Sequence, residues 1–216
     1  MTERVRRNGK WFVQRIIPLG FVFAVVYGVT NSLAGMRGAT NLVLAWEQHL
    51  PFMPWSILAY LSIFLVFWLP LFVMEREAVA DLMKRYLLVT ICAGAVFLAF
   101  PTAVGLERPD PSTLPFVFEW LYSMDAPYNA APSLHVAYAV LILPACARSL
   151  EGMPRAAVLL WLLLIVASAW VTHQHQFVDI LSGALLGGLS SLGSGAGAGS
   201  AAGSMPKRHI RKYWRA

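Results

Sequence analysis

Charged residues are scarce in this sequence, and their scarcity narrows the classes of protein that it can encode. Asp, Glu, Lys and Arg make up 13% of the 216 residues, about half of the ~25% found in soluble domains. The chain is 58% hydrophobic and has a mean hydropathy of +0.60. Its apolar residues form long runs, as in helices that are surrounded by lipid and by other helices. The composition excludes an ordinary soluble domain and predicts an all-α integral membrane protein.

Cysteine is also rare, and acidic residues are outnumbered by basic ones. The two cysteines, Cys92 and Cys146, lie within apolar runs, so we interpret them as apolar packing residues rather than as a disulfide.

The chain has 17 Lys and Arg against 11 Asp and Glu, a net charge of +6. Because the basic residues cluster at the ends of apolar runs, this excess predicts contacts with membrane lipids and argues against nucleic acid as a partner.

Six apolar segments predict six transmembrane helices, at about 16–33, 55–74, 86–100, 136–147, 156–171 and 177–195. These segments form one membrane domain at 16–195, with the chemistry-bearing motifs at 86–190. A basic segment at 1–15 precedes the domain, and a tract rich in Gly, Ser and Ala with a basic tail follows at 196–216. The polar connection before the fourth span contains a predicted interfacial helix at 116–123.

The basic residues also predict an orientation. Six spans place both termini and the turns at 75–85 and 148–155 on one side of the membrane, together with fifteen of the seventeen Lys and Arg. The positive-inside rule then predicts cytoplasmic termini. We expect the first apolar run to stay as a span, since no small-residue cleavage site stands out. The prediction is a multi-pass protein of a bacterial-type inner (plasma) membrane, with its site on the periplasmic or extracellular face.

Two polar clusters frame the fourth and fifth predicted spans. The first is Asn129-Ala-Ala-Pro-Ser-Leu-His135, and the second is His173-Gln-His-Gln-Phe-Val-Asp179. Between them lie two apolar runs and a short charged turn, which predict a helical hairpin. A hairpin returns the chain to the face that it left, so the two clusters are expected to lie close together.

The residue types in these clusters fit phosphate chemistry. His175 and Asp179 are four residues apart, so a helix would let the carboxylate fix the imidazole tautomer and leave the other nitrogen free to attack. Ser133 at a helix start can bind an anion, His135 can protonate a leaving oxygen, and Arg108 suits phosphate oxygens. Considered alone, each residue also fits a simpler interpretation. His175 and Asp179 fit a polar pair that caps a helix, His135 fits a histidine at the membrane interface, and Arg108 fits a solvated loop arginine. Their convergence on one membrane face favours a site.

The pattern resembles the type-2 phosphatidic acid phosphatase family, the lipid phosphate phosphatases related to vanadium haloperoxidases. That family has three motifs in order: Lys-x6-Arg-Pro, Pro-Ser-x-x-His or Pro-Ser-x-His, and Ser-Arg-x5-His-x3-Asp. Here Arg108-Pro109, Pro132-Ser-Leu-His135 and His175-Gln-Phe-Val-Asp179 match parts of them. The resemblance implies a site at the outward ends of helices 3, 4 and 6. It implies that His175 is the nucleophile that forms a phospho-histidine and that Asp179 orients it. It also implies that His135 is the general acid and that Arg108 and Ser133 bind the phosphate.

Two positions depart from the family pattern. The motif lysine is replaced by Pro101 and the motif arginine by Ala169, and each loss removes charge-assisted bonds of about 1.5–3 kcal/mol. The context resembles a divergent branch that includes the inositol phosphorylceramide and sphingomyelin synthase-like transferases. We expect auxiliary donors to replace the missing cations, and the sequence offers His173, Gln174, Thr172 and Arg37.

The resemblance implies a metal-independent hydrolase or phosphotransferase of lipid metabolism, without cofactor, that acts on a phospholipid or polyprenyl phosphate. Head-group transfer of the sphingolipid-synthase kind is the related alternative. A zinc enzyme built on His135, His173, His175 and Asp179 is a second class. A non-catalytic carrier of lipid phosphates is a third. The sequence names neither the lipid nor an oligomeric state.

Overall fold

The computed structural model describes residues 2–192, so the predicted tract and tail at 196–216 and the end of the sixth predicted span lie outside the described part. The structure is 75% helical. Its α-helices are α1 (Thr2–Arg37), α2 (Ile57–Leu61), α3 (Ile63–Val66), α4 (Leu69–Val73), α5 (Arg76–Ala99), α6 (Phe116–Met124), α7 (Leu134–Ala147), α8 (Gly152–Val171) and α9 (Phe177–Ser191). Short 3-10 turns occupy Ala45–His49, Pro54–Ser56 and Pro111–Thr113, and two-residue strands β1 (Thr40–Asn41) and β2 (Thr102–Ala103) pair in parallel, with Thr40 opposite Thr102.

Among the described residues, three helices are long and apolar enough to cross a membrane. They are α5, α8 and the part of α1 from Val5 to Arg37. Three further apolar helical stretches are shorter, at Pro54–Val66, Leu134–Ala147 and Phe177–Ser191. The predicted class, an all-α membrane protein, is therefore confirmed, whereas the number of six spans remains a prediction. The helix predicted at 116–123 is present as α6.

α1 lies at the edge of the bundle and packs on α5. Large apolar side chains of α1 are exposed at four-residue intervals, at Ile17, Phe21, Val25 and Val29. Four-residue spacing places them on one face of the helix, and such an exposed apolar stripe is typical of a surface that contacts lipid. Where α1 contacts α5, Val26 packs directly on Gly94. A Cβ at position 94 would lie 2.5 Å from the valine Cγ1.

The second predicted span is helical but interrupted, which corrects the expectation of one continuous helix at 55–74. The chain forms α2, α3 and α4, with the first break at Ser62 and the second at Phe67–Trp68. The Ser62 hydroxyl bonds the carbonyl of Ala59 and accepts a hydrogen bond from the Trp161 indole at 2.7 Å. Pro70 has no N–H to bond the carbonyl of Val66, which further weakens the helix there.

α7 is the central helix, and α5, α8 and α9 surround it. Ten of its residues are buried, and they include Leu141 and Leu143 in the main core. α9 approaches α7 through two glycines one turn apart. A Cβ on Gly183 would collide with the Ser133 carbonyl oxygen, and one on Gly187 would collide with that of Ala137. This close backbone packing fixes α9 against the first turn of α7.

Candidate active site

The first turn of α7 is joined directly to α9. Ser133 caps α7, and its hydroxyl accepts a hydrogen bond from the Val136 N–H at 3.3 Å. The Ser133 N–H donates to the backbone carbonyl of Asp179 at 3.0 Å. The Ser133 N–H is therefore not free to bind an anion, and the Ser133 hydroxyl is fully buried.

His135 lies one residue inside α7, and its ring is fixed by an aromatic neighbour. The Tyr60 ring of α2 stacks on the imidazole with centroids 3.8 Å apart and planes 6° apart. The Nε2 atom of His135 is buried and has no hydrogen-bond partner among the described residues. The segments that carry His135 and His175 lie side by side, because the start of α7 is hydrogen-bonded to the first turn of α9.

His175 lies two residues before α9, so its i, i+4 contact with Asp179 forms across the start of the helix rather than along a helix face. α9 begins at Phe177, and Asp179 lies in its first turn, where it accepts a hydrogen bond from the Gln176 N–H at 2.9 Å. The same Oδ2 lies 3.7 Å from Nδ1 of His175, and the carboxylate is fully buried. Asp179 thus caps the helix and also faces the imidazole. The Nε2 atom of His175 points away from this contact.

Arg108 reaches the segment that carries His175 through Gln174. Its Nη2 donates to Gln174 Oε1 at 3.2 Å, its guanidinium carbon lies 5.0 Å from the centroid of the Tyr122 ring, and its Nε is buried without a partner. No carboxylate lies in ion-pair distance of Arg108 within residues 2–192. Burial raises the pKa of the Tyr122 hydroxyl above its usual value. That hydroxyl therefore stays protonated, as a donor beside the arginine.

Buried polar atoms without a partner concentrate at this site. Native structures leave few such atoms, and each calls for an explanation such as a missing ligand. Five are present in the described part of the chain, and three belong to residues predicted from the sequence. They are Arg108 Nε, His135 Nε2, His175 Nδ1, Tyr122 Oη and Asn129 Oδ1. Among them, Arg108 Nε and Tyr122 Oη are donors that suit an anion, whereas each histidine nitrogen donates or accepts according to its tautomer.

The residues proposed to replace the missing cations are all engaged with the protein. Each ring nitrogen of His173 contacts a backbone carbonyl, Glu107 at 2.6 Å and Leu50 at 3.2 Å. The Thr172 hydroxyl bonds the Ser168 carbonyl, and Arg37 bonds the Leu98 carbonyl. Gln174 differs because it contacts Arg108 while its amide nitrogen bonds the Thr172 carbonyl. Its observed contacts therefore position the arginine rather than present a free donor.

The two substituted motif positions have backbone contacts of their own. The Pro101 carbonyl accepts a hydrogen bond from the Thr40 N–H at 3.1 Å. The carbonyl of Ala169, whose side chain is buried, accepts one from the His175 N–H at 2.9 Å. Position 169 thus supports the histidine loop through its main chain, which any residue type provides.

The sequence did not single out Glu47, which supports the same loop. This fully buried carboxylate accepts hydrogen bonds from the Phe177 N–H at 2.7 Å, from the Trp170 indole at 3.0 Å and from the Leu44 N–H at 2.8 Å. It therefore ties the 3-10 turn at Ala45–His49 to both ends of the His175 loop. The signal in the sequence is an acidic residue next to tryptophan in a mostly apolar stretch, which alone does not predict a partner.

The zinc alternative depends on three or more ligands that converge. Within the described residues, no group of three or more His, Cys, Asp and Glu side chains is arranged to hold a metal ion. In addition, both ring nitrogens of His173 contact backbone carbonyls. His173 is therefore engaged with the main chain in this structure.

The comparison with protein families agrees with the motifs. A family model described as the PAP2 superfamily matches residues 36–192. The match extends well before the motif region at 86–190 and includes every residue of the site described above. No curated protein and no solved structure matches the chain.

Proposed function

The chain belongs to the PAP2 superfamily, and from this membership we propose that it is a membrane lipid phosphate phosphatase or phosphotransferase that works through a phospho-histidine. Membership supports a phosphatase or phosphotransferase function. The observation that carries the finer proposal is the set of unpaired buried polar atoms on Arg108, Tyr122 and His135. A phosphate group supplies the acceptors that the arginine lacks, and it lies between the two imidazoles.

The first step is the attack of His175 on phosphorus. Nδ1 of His175 faces Asp179 at 3.7 Å, so a proton on Nδ1 is stabilised by the carboxylate and Nε2 carries the lone pair. Nε2 forms a bond to phosphorus while the bond from phosphorus to the lipid oxygen breaks. His135 gives its proton to that oxygen, and the lipid alcohol leaves. Arg108 and the hydroxyls of Ser133 and Tyr122 stabilise the charge on the phosphoryl oxygens.

The second step returns the enzyme to its starting state. Neutral His135 takes a proton from water, the water oxygen forms a bond to phosphorus, and the bond from phosphorus to His175 Nε2 breaks. Inorganic phosphate is released, and His135 is protonated again. An acceptor alcohol in place of water gives transfer rather than hydrolysis with the same balance of atoms and charges.

α6 supports a lipid substrate. It carries Tyr122, which contacts Arg108, while Phe116, Trp120 and Met124 are exposed by 82%, 46% and 72%. These three residues are four apart and so share one face, and aromatic residues favour the interface between membrane and water. A helix held in the interface beside Arg108 brings a lipid head group to the site while its chains stay in the bilayer.

Transfer of a phospho-head group, of the inositol phosphorylceramide or sphingomyelin synthase kind, is the second candidate function. The observation that favours it is the replacement of both motif cations by Pro101 and Ala169. A phosphodiester carries one negative charge fewer than a monoester and needs fewer cations. A non-catalytic carrier is the remaining alternative, and it predicts lipid binding without turnover.

The deciding experiment measures inorganic phosphate release from a panel of lipid phosphates in detergent with EDTA present. The panel contains phosphatidic acid, phosphatidylglycerol phosphate, a polyprenyl pyrophosphate and a lipid A phosphate. Wild type is compared with His175→Ala and with His49→Ala, an exposed histidine that serves as the matched control. We expect release by wild type and by His49→Ala, and none by His175→Ala.

Release that persists in His175→Ala would reject the phospho-histidine proposal. No release from any lipid by wild type would reject hydrolysis, and the panel is then repeated with head-group donors and alcohol acceptors. Release abolished by EDTA would reject metal independence and restore the metal-dependent class.

A further inference from the structure

A cleft lies at the end of the bundle far from the phosphate site, between the amino-terminal parts of α1 and α5. Its volume is about 600 Å³. α5 runs from Arg76 at this cleft to Ala99 near the site, and 24 helical residues span about 35 Å. The cleft therefore belongs to the opposite membrane leaflet and plays no part in the mechanism above.

The cleft has an unusual cationic wall. The guanidinium carbons of Arg15 and Arg76 each lie 4.6 Å from the centroid of the same Trp11 ring. Both contacts are within cation–π range, and the two positive charges lie within about 10 Å of each other, one Debye length at 0.1 M salt. Lys84 adds a third positive charge and Glu77 the single acidic one.

The acidic residue of the cleft does not neutralise these cations. No ion pair joins Glu77 to Arg15, Arg76 or Lys84 in the described residues. Arg76 is also the first residue of α5, where the helix dipole disfavours a cation and favours an anion. Two guanidinium groups packed on one tryptophan ring, one of them at a helix amino terminus, are stabilised when an anion binds near them.

The remaining wall of the cleft is apolar. It contains Pro18 and Leu19 of α1 and Met83 and Leu87 of α5. An inorganic anion would make no favourable contact with these apolar side chains. A molecule with a negatively charged head and an apolar chain matches both parts of the cleft.

We propose that this cleft binds an anionic phospholipid of the leaflet that holds the amino terminus. The phosphate lies between Arg15 and Arg76 within reach of Lys84, and an acyl chain lies along Leu19, Met83 and Leu87. The bound lipid is a structural or regulatory ligand rather than a substrate, because the proposed catalytic residues are at the other end of α5. Basic clefts between membrane helices are known to hold anionic head groups.

The test is native mass spectrometry of the purified full chain in neutral detergent, titrated with phosphatidylglycerol or with phosphatidylcholine of the same acyl chains. Wild type is expected to retain phosphatidylglycerol in preference to phosphatidylcholine. Arg15→Gln with Arg76→Gln is expected to weaken retention about tenfold. The matched control, Arg148→Gln with Arg155→Gln, makes the same change of charge outside the cleft and is expected to stay within about twofold of wild type.

Further arms separate this site from other sources of binding. Arg15→Lys with Arg76→Lys keeps the charges and is expected to restore most of the retention, which a folding defect would not do. Arg108→Gln is expected to leave retention unchanged. Unaltered retention of phosphatidylglycerol by Arg15→Gln with Arg76→Gln would overturn the proposal. So would loss of retention in Arg108→Gln, equal retention of phosphatidylcholine, or complete displacement of the lipid by millimolar inorganic phosphate.

Discussion

The backbone N–H of Ser133 donates a hydrogen bond to the backbone carbonyl of Asp179 at 3.0 Å. This bond joins the cap of α7 to the first turn of α9, so that two motifs 46 residues apart in the chain share one hydrogen bond. Gly183 makes the approach possible, because any side chain there would collide with the Ser133 carbonyl. The relative position of His135 and His175 is therefore set by backbone contacts rather than by their own side chains.

The charge of Asp179 is expected to matter more than its capping bond. Asp179→Asn keeps an oxygen that can accept the Gln176 N–H, but it removes the negative charge beside His175. We expect kcat to fall about a hundred- to ten-thousandfold, as for carboxylates that orient a catalytic histidine. Phosphate release measures the loss, and thermal unfolding in detergent shows whether the cap survives. A variant with normal kcat would leave Asp179 as a cap alone.

Gln174 is expected to act through Arg108. Gln174→Ala removes the acceptor at 3.2 Å from the guanidinium, so the arginine loses orientation and KM is expected to rise about three- to tenfold. Gln174→Glu places a carboxylate against Arg108, which competes with the phosphate and lowers activity further. The exposed Gln48→Ala is the matched control and should behave as wild type. Unchanged activity in Gln174→Ala would remove this residue from the site.

The stack of Tyr60 on His135 is expected to hold the general acid in place. Tyr60→Phe keeps the ring, so kcat should remain within about twofold of wild type. Tyr60→Leu loses the stack, and kcat should fall up to about tenfold, which corresponds to the ~0.5–1.5 kcal/mol of an aromatic pair. The ratio of the two variants in a kinetic assay isolates the contribution of the ring. An equal loss in both would assign the effect to the hydroxyl instead.

Gly183 and Gly188 lie on the same helix and provide a matched pair. Gly183→Ala forces a Cβ against the Ser133 carbonyl, so α9 must shift, at a cost of about 1–3 kcal/mol. A Cβ on Gly188 would have no neighbour within 4 Å, and Gly188→Ala should be neutral or stabilising by up to ~1 kcal/mol. Thermal unfolding in detergent compares them. Equal stability of the two variants would contradict the described packing of α9.

The buried carboxylate of Glu47 is expected to stabilise the His175 loop. Glu47→Gln replaces one acceptor oxygen by a donor group in a place where three N–H groups converge. We expect a loss of about 1–3 kcal/mol in the free energy of unfolding, together with lower activity. The exposed Glu119→Gln should change stability by less than ~0.5 kcal/mol. If the two variants unfold alike, Glu47 does not anchor the loop.

Much of the architecture was predictable from sequence because it depends on local patterns. Long apolar runs require helices in a membrane, and the helix predicted at 116–123 is present as α6. The interruption at Ser62 was not predictable, because the bond that it makes comes from Trp161, 99 residues away. The start of α9 at Phe177 agrees with the predicted start of the sixth span near residue 177, so His175 lies just before the helix.

The sequence by itself predicted the candidate site residues and their order: Arg108, Ser133, His135, His175 and Asp179, in motifs that resemble those of the PAP2 superfamily. Residue identity and spacing carry that information, because the chemistry needs particular side chains. Only the tertiary structure decided how those residues are held. The partners of the site, Glu47, Tyr60 and Tyr122, come from distant segments with ordinary local sequence, and burial and close backbone packing give them their roles.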